Sequence, residues 1–142
     1  MEITLVTQPT PLTCVHACLA MVSGRQIQEF IDQFGDGGLN MQQETVALIE
    51  SRILPHVIQS DGFIHLFPTT GIYLVTVPSL NLPGMLHRVV VDAKSDGYVV
   101  YDPNHGRAVK AYSSEDIASG AMNCFEITLL DFETLARMTV AA

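Results

Sequence analysis

The chain has 142 residues, of which 48% are hydrophobic and 15% charged, and its 15 acidic against 7 basic side chains give a formal net charge of −8. This is the length of one domain with apolar content enough for a packed core, which excludes a disordered chain. The acidic balance argues against nucleic acid or an anionic membrane surface as partner, and no apolar run approaches the ~20 residues of a membrane span.

The N-terminal stretch Met1–Pro9 lacks both a charged leader and a long apolar segment, so no secretory signal is expected. Together with an odd number of cysteines, three, this predicts free thiols in a reducing compartment, the cytoplasm. Gln8 to Thr13 holds Pro9 and Pro11 and is expected to be extended or turned. Thr13 is placed to cap a first helix from Cys14 to Ser23 that Gly24 ends. A second helix is expected from Gln26 to Phe34 on the spacing of Ile27, Phe30, Ile31 and Phe34. After the Gly35–Gly38 loop, Asn40 caps a third helix through about Arg52, with Val46, Leu48, Ile49 and Ile53 as its apolar residues and Pro55 closing it.

The pattern then changes to β-branched runs. Gly71 to Val77, ended by Pro78, reads as a strand, and His87–Ala93 and Tyr98–Asp102 read as a hairpin turned over Lys94–Gly97. Ser114–Ala118 suggests a short helix begun by a serine cap, Cys124–Leu130 a last strand, and Asp131–Ala142 a short helix or frayed tail. Helices first and an antiparallel sheet second make a single α+β domain over residues 1–142.

Four residues in this frame suit thiol chemistry: Gln8, Cys14, His87 and Asp102. Cys14 falls in the first helical turn, where unpaired N–H groups and the helix dipole favour a thiolate. Strand alternation puts His87 on one face with Val89 and Val91, and closing the hairpin brings Asp102 opposite it or one diagonal step away, ~5 to 8 Å between Cβ atoms. That apolar face is where the first helix is expected to pack. His87 then takes the thiol proton and returns it to a leaving group, while Asp102 orients the imidazole. Gln8, six positions before Cys14 (14 − 8), is placed to join the Cys14 N–H in binding an oxyanion, a contribution of ~3 kcal/mol in comparable sites.

These residues resemble the double-glycine leader peptidases, bacteriocin-processing cysteine peptidase domains of the papain-like superfamily that are often fused to ABC exporters. The resemblance rests on Gln8 with Cys14 six residues on, the Ala17-Cys18-Leu19-Ala20-Met21 run, Gly24, His87 with Val89-Val90-Val91, and Asp102-Pro103 fifteen residues later (102 − 87). It spans roughly Gln8 to Leu129 and implies a papain-like fold with N-terminal helices packed on an antiparallel sheet. It further implies a cysteine peptidase that cuts a peptide or isopeptide bond after small residues, with a protein or peptide substrate and no metal or organic cofactor. With no transporter segment in the chain, a free-standing bacterial or phage member is expected. The chain departs from the family at Thr13-Cys14-Val15, where Asp-Cys-Gly is usual, and at Arg88, where an aromatic commonly follows the histidine. Both departures lie where a substrate is read.

Cys18 shares a helix face with Cys14 and reads as a small core hydrophobe. A zinc site from Cys14, His16 and Cys18 is disfavoured because His16 projects from the other side of the helix and no second cluster follows. Asn104 is an alternative imidazole orienter, while His56, His65 and His105 read as surface or loop residues. Gly37-Gly38 reads as a loop rather than a self-cleavage site. The competing functions are a binding module that uses the same groove without turnover, and an acyl transferase or amidase that uses the same triad.

Overall fold

A computed structural model describes residues 2–59, 67, 69–120 and 123–129 of the chain. Three helices, α1 (Cys14–Ser23), α2 (Ile27–Phe34) and α3 (Met41–Glu50), precede a strand β1 (Ile53–Gln59). Then come β2 (Gly71–Pro78), β3 (Leu86–Lys94), β4 (Gly97–Tyr101), a short helix α4 (Ser114–Gly120) and β5 (Asn123–Leu129). The strands form one antiparallel sheet in the order β1-β5-β2-β3-β4. The expected tail helix at 131–142, and His65, lie outside the described residues.

Alternation along the strands divides the core into two layers. Ile72 and Leu74 of β2, Val90 of β3, and Phe125 and Ile127 of β5 pack against Leu19, Met21, Phe30 and Leu48 of the first three helices. On the other face Tyr73, Val75, Val77, Val89 and Val91 pack against Tyr112 and Ile117. The N-terminal helices therefore cover the Val90 face, and the expectation that α1 packs on the His87 face is corrected. His87 shares its face with Val89 and Val91, beneath the segment that leads into α4. The apolar residues of α1 are buried on nearly all sides, so its sequence holds no stripe to say which sheet face it takes.

Local signals account for most boundaries. Gly24 ends α1 in the left-handed conformation at φ 74°, its N–H donating to the Ala20 carbonyl. Asn40 caps α3, its side chain accepting from the Gln43 N–H at 2.8 Å while Gln43 Oε1 accepts from the Asn40 N–H at 3.0 Å. Thr13 occupies the cap position of α1 without a capping hydrogen bond. Its hydroxyl is turned back to Thr10, accepting from the Thr10 N–H and donating to the Thr10 carbonyl, both at 3.1 Å. In α4 the cap is Ser113 rather than Ser114: its Oγ accepts from the Asp116 N–H at 3.2 Å and the Asp116 carboxylate accepts from the Ser113 N–H at 2.9 Å.

The third helix differs most from expectation. It ends at Glu50, Arg52 turns the chain in the left-handed region at φ 62°, and Ile53 begins an edge strand instead of extending the helix. Pro55 is tolerated there because an edge strand has a free side. The buried residues of α3 are Glu44, Ala47 and Leu48, while Val46 and Ile49 are exposed. The helix is rotated because Glu44 makes a buried ion pair with Arg88 of β3, their side chains only 4% and 7% exposed. Arg88 also donates to Thr76 Oγ1 and lies over the Phe125 ring, 4.8 Å from its centroid.

This pair makes a stability prediction. Glu44→Ala leaves a guanidinium buried without its counter-charge and is expected to cost about 3–5 kcal/mol. The double change Glu44→Leu with Arg88→Met removes both charges and is expected to lie within about 2 kcal/mol of the parent. Equilibrium unfolding in urea measures both; equal losses in the single and double variants would contradict the account.

Candidate active site

The site forms where β3 outruns its neighbour. β4 pairs with β3 only from Val90↔Tyr101 to Lys94↔Gly97, so the start of β3, including His87, has no partner on that side. Continuing the register by one step places Asp102 opposite Val89 and one diagonal from His87, on the same face. The His87 ring closes that diagonal, with Nε2 2.8 Å from Asp102 Oδ1.

Asp102 is 3% exposed and saturated with donors. Besides the imidazole it accepts from the Asn104 N–H at 2.9 Å on Oδ1 and from the Tyr112 N–H on Oδ2. Burial opposes its ionisation, but the hydrogen bonds from His87, Asn104 and Tyr112 outweigh this and hold the carboxyl below its usual value of 3.8. For His87 burial alone favours the neutral ring. The hydrogen bonds to Asp102 and then to Cys14, with the charges of both, reverse that effect and raise its pKa from 6.5 to about 9. The Tyr112 ring lies beside the imidazole with centroids 5.1 Å apart, and its own hydroxyl is pushed up to about 12, chiefly by burial.

Cys14 starts α1, is half-buried and lines the same cleft as His87, near enough for its influence to be among the causes that raise the imidazole. Since Nε2 is committed to Asp102, Nδ1 is the ring nitrogen left for sulfur. Cys18, one turn on, is fully buried and donates to the Arg88 carbonyl at 3.4 Å. Burial, and next the neighbouring Cys14, push the Cys18 thiol well above its usual range, which makes it the inert member of the pair. Gln8 is 2% exposed; its backbone N–H donates to the Pro103 carbonyl and its Nε2 to the Thr10 carbonyl, each at 2.8 Å. Thr7 Oγ1 adds a 2.8 Å bond to the His105 carbonyl, so the segment before Cys14 is fastened to the loop that carries Asp102.

A cleft of about 290 Å³ opens beside Cys14 and His87. Leu12, Val15, Leu39, Met41 and Met85 give it apolar walls, and Glu44, Thr76 and Arg88 give it polar ones. Burial raises the Glu44 carboxyl above its usual value of 4.5, against the opposing effect of Arg88.

Thus the structure brings Cys14 and His87 to one cleft and joins His87 to Asp102, with Gln8 fastened to the loop that carries Asp102. The other candidates fall elsewhere. His16 is buried on α1, its Nε2 2.7 Å from the Gly35 carbonyl. Asn104 gives its backbone N–H to Asp102 and its side-chain oxygen accepts from Arg107 at 3.1 Å, so the carboxylate rather than the carboxamide holds the imidazole. His56 and His105 are exposed. Two neighbours of the site, Glu44 and Tyr112, are not singled out by the sequence, and Arg88 is singled out there only as a departure beside His87, without its ion pair. Arg88 in a run of Val and Glu44 one turn before Leu48 were both detectable as charges on apolar faces, which demand a partner. Tyr112 carries no such signal, because only the fold brings its N–H to Asp102.

No protein-family model and no curated protein matches the chain. Its fold is α+β and papain-like, the arrangement found in double-glycine peptidase domains. One solved structure with this arrangement is the peptidase domain of Streptococcus ComA, a bifunctional ABC transporter involved in quorum sensing. It has a TM-score of 0.69 and 18% identity over 92% of this chain and 100% of that one. Another is a double-glycine-motif protease from an AMS/PCAT transporter, in complex with the leader peptide, with a TM-score of 0.68 and 16% identity over 90% of this chain and 92% of that one. At such identities the likeness is one of fold. Among the described residues no helix is long and apolar enough to cross a membrane.

The raised His87 value sets a pH dependence of stability. A proton held with a pKa of about 9 in the folded chain and 6.5 in the unfolded chain stabilises fully below 6.5, and the contribution is lost as pH rises through about 9. Asp102 works in the opposite sense, contributing above 3.8 and losing its effect as pH falls through its lower folded value. Asp102→Asn is expected to move the His87 midpoint down toward 6.5 in an NMR titration of the imidazole and to flatten the loss of stability between 6.5 and 9. An unmoved midpoint would show that Asp102 does not hold the proton.

Proposed function

We propose that this protein is a cysteine peptidase that hydrolyses a peptide or isopeptide bond, with Cys14 as nucleophile, His87 as general base and acid, Asp102 as orienter and Gln8 as oxyanion donor. The observation that carries the reading is the Cys14–His87–Asp102 series at the mouth of an apolar cleft, its His87–Asp102 bond 2.8 Å long and buried. The fold shared with double-glycine peptidase domains supports it independently.

In this mechanism an extended peptide lies in the cleft with its scissile carbonyl over Cys14. The thiol proton passes to His87 Nδ1 and sulfur bonds to the carbonyl carbon. The developing oxyanion accepts from the Cys14 backbone N–H, at the start of α1, and from Gln8 Nε2, which carries a second N–H beyond the one given to Thr10. As the tetrahedral species collapses, His87 gives its proton to the departing amine and a thioester remains on Cys14. His87 then takes a proton from water, the hydroxyl adds to the thioester carbonyl, and collapse returns the thiol and releases a carboxylic acid. Asp102 keeps Nε2 protonated throughout, so Nδ1 is always the nitrogen that exchanges the proton.

Turnover is expected to need His87 protonated against the Cys14 thiolate, so the alkaline limb of kcat/KM falls near pH 9. Cys14→Ala is expected to abolish cleavage, His87→Ala to lower kcat roughly 10²–10⁴-fold, and Gln8→Ala roughly 10²–10³-fold with KM little changed. The assay is cleavage of a peptide library read by mass spectrometry, with an electrophilic thiol probe to locate the reactive cysteine. Full activity in Cys14→Ala, or probe labelling of Cys18 or Cys124 in place of Cys14, would sink the reading.

A further inference from the structure

We propose that the cleft beside Cys14 contains a subsite for an uncharged carboxamide side chain, Gln or Asn, at the first or second residue on the acyl side of the scissile bond, with Glu44 and Arg88 as the residues that determine this specificity. The proposal rests on the peptidase reading and adds to it a substrate class.

The wall and floor of the cleft differ in polarity. Val15, Leu39 and Met41 offer apolar contact, yet the same cleft is lined by Glu44, Arg88 and Thr76. A buried ion pair is a poor way to gain stability, since apolar side chains of similar volume do as well or better. The pair is also incompletely satisfied. Arg88 gives one terminal nitrogen to Glu44 and the other to Thr76, while its Nε is buried with no hydrogen-bond partner among the described residues. Glu44 receives Arg88 on Oε1, and an ionised carboxylate has acceptor sites beyond that one bond.

An occupant must therefore bring an acceptor for Arg88 and a donor for Glu44, and it must be neutral. A substrate carboxylate or ammonium would unbalance a pair that is already charge-compensated in a desolvated site. An aliphatic side chain would offer neither charged group a hydrogen-bond partner. A carboxamide has one carbonyl acceptor and two N–H donors on a single planar group. Its methylene stem matches the apolar walls. Sites that pair buried polar groups with substrate discriminate strongly against analogues without those groups, so a large preference is expected.

The test uses acetylated dipeptidyl acyloxymethyl ketones in two series, X-Gly and Gly-X, with X as Gln, Asn, Ala, Leu, Glu or Lys. Inactivation rates are measured on the full chain, and the modified residue is located by mass spectrometry. In one of the two series the Gln or Asn probe is expected to react with Cys14 at least about tenfold faster than the Leu, Glu and Lys probes. Glu44→Leu with Arg88→Met is expected to lose that preference in favour of Leu. Reaction of Cys14 with all probes at similar rates, or fastest with Leu in the parent protein, overturns the subsite while leaving the peptidase reading intact. A carboxamide preference that persists in the double variant overturns the assignment to Glu44 and Arg88. If that variant does not fold, Arg88→Lys, which keeps the charge and loses the planar fork, is expected to lower the preference, and an unchanged preference overturns the assignment. Failure of every probe to modify Cys14 overturns the peptidase reading and this inference together.

Discussion

The Asp102 carboxylate accepts hydrogen bonds from the His87 ring, from the Asn104 N–H two residues on and from the Tyr112 N–H ten residues on. A buried carboxylate must be satisfied or it will not stay ionised, and here satisfying it draws three parts of the chain to one point. The loop after β4 folds back to supply the two backbone donors. That same loop offers its Pro103 and His105 carbonyls to Gln8 and Thr7, which fastens the segment leading into α1. Cys14 follows directly. The position of Cys14 is thus tied through hydrogen bonds to the loop that carries Asp102, the partner of His87.

The sheet divides two tasks between consecutive residues. His87 points to the face covered by Tyr112 and Ile117, and Arg88 points to the face covered by the helices. At the strand end, where β4 has stopped, both faces are within reach of the cleft. A one-residue shift of β3 against β2 would exchange the two and destroy both arrangements, so the apolar register of Val89, Val90 and Val91 against Val75, Leu74 and Tyr73 protects the chemistry as well as the core.

Legibility in the sequence followed the range of the interaction. Elements set by local signals were readable: α1 between Thr13 and Gly24, the Asn40 cap, and the hairpin over Lys94–Gly97. The hairpin gave the His87–Asp102 approach as well, because register follows from a short turn. What could not be read depended on distant partners. Ile53 reads as a further turn of helix until β5 is there to pair with it. The face of α3 was misassigned because Glu44 is a buried residue only when Arg88 is opposite. The face of the sheet that α1 covers has no local signature, and neither has Tyr112 as a donor to Asp102.

The pairs His87–Asp102 and Cys14–His87 differ in how far along the chain their members lie. His87 and Asp102 close a loop of 15 residues within one hairpin, whereas Cys14 and His87 close one of 73 (87 − 14). Loop-closure entropy scales with the logarithm of length, so the second contact costs about 1.4 kcal/mol more than the first to close. The His87–Asp102 pair is a local contact, set by the hairpin and the loop that follows it. Cys14 comes from the far end of the chain and is held by the docking of α1. Partial loosening of this protein would therefore leave a correctly built imidazole–carboxylate pair facing an empty place, and the Cys14–His87 contact is the joint at which the site comes apart.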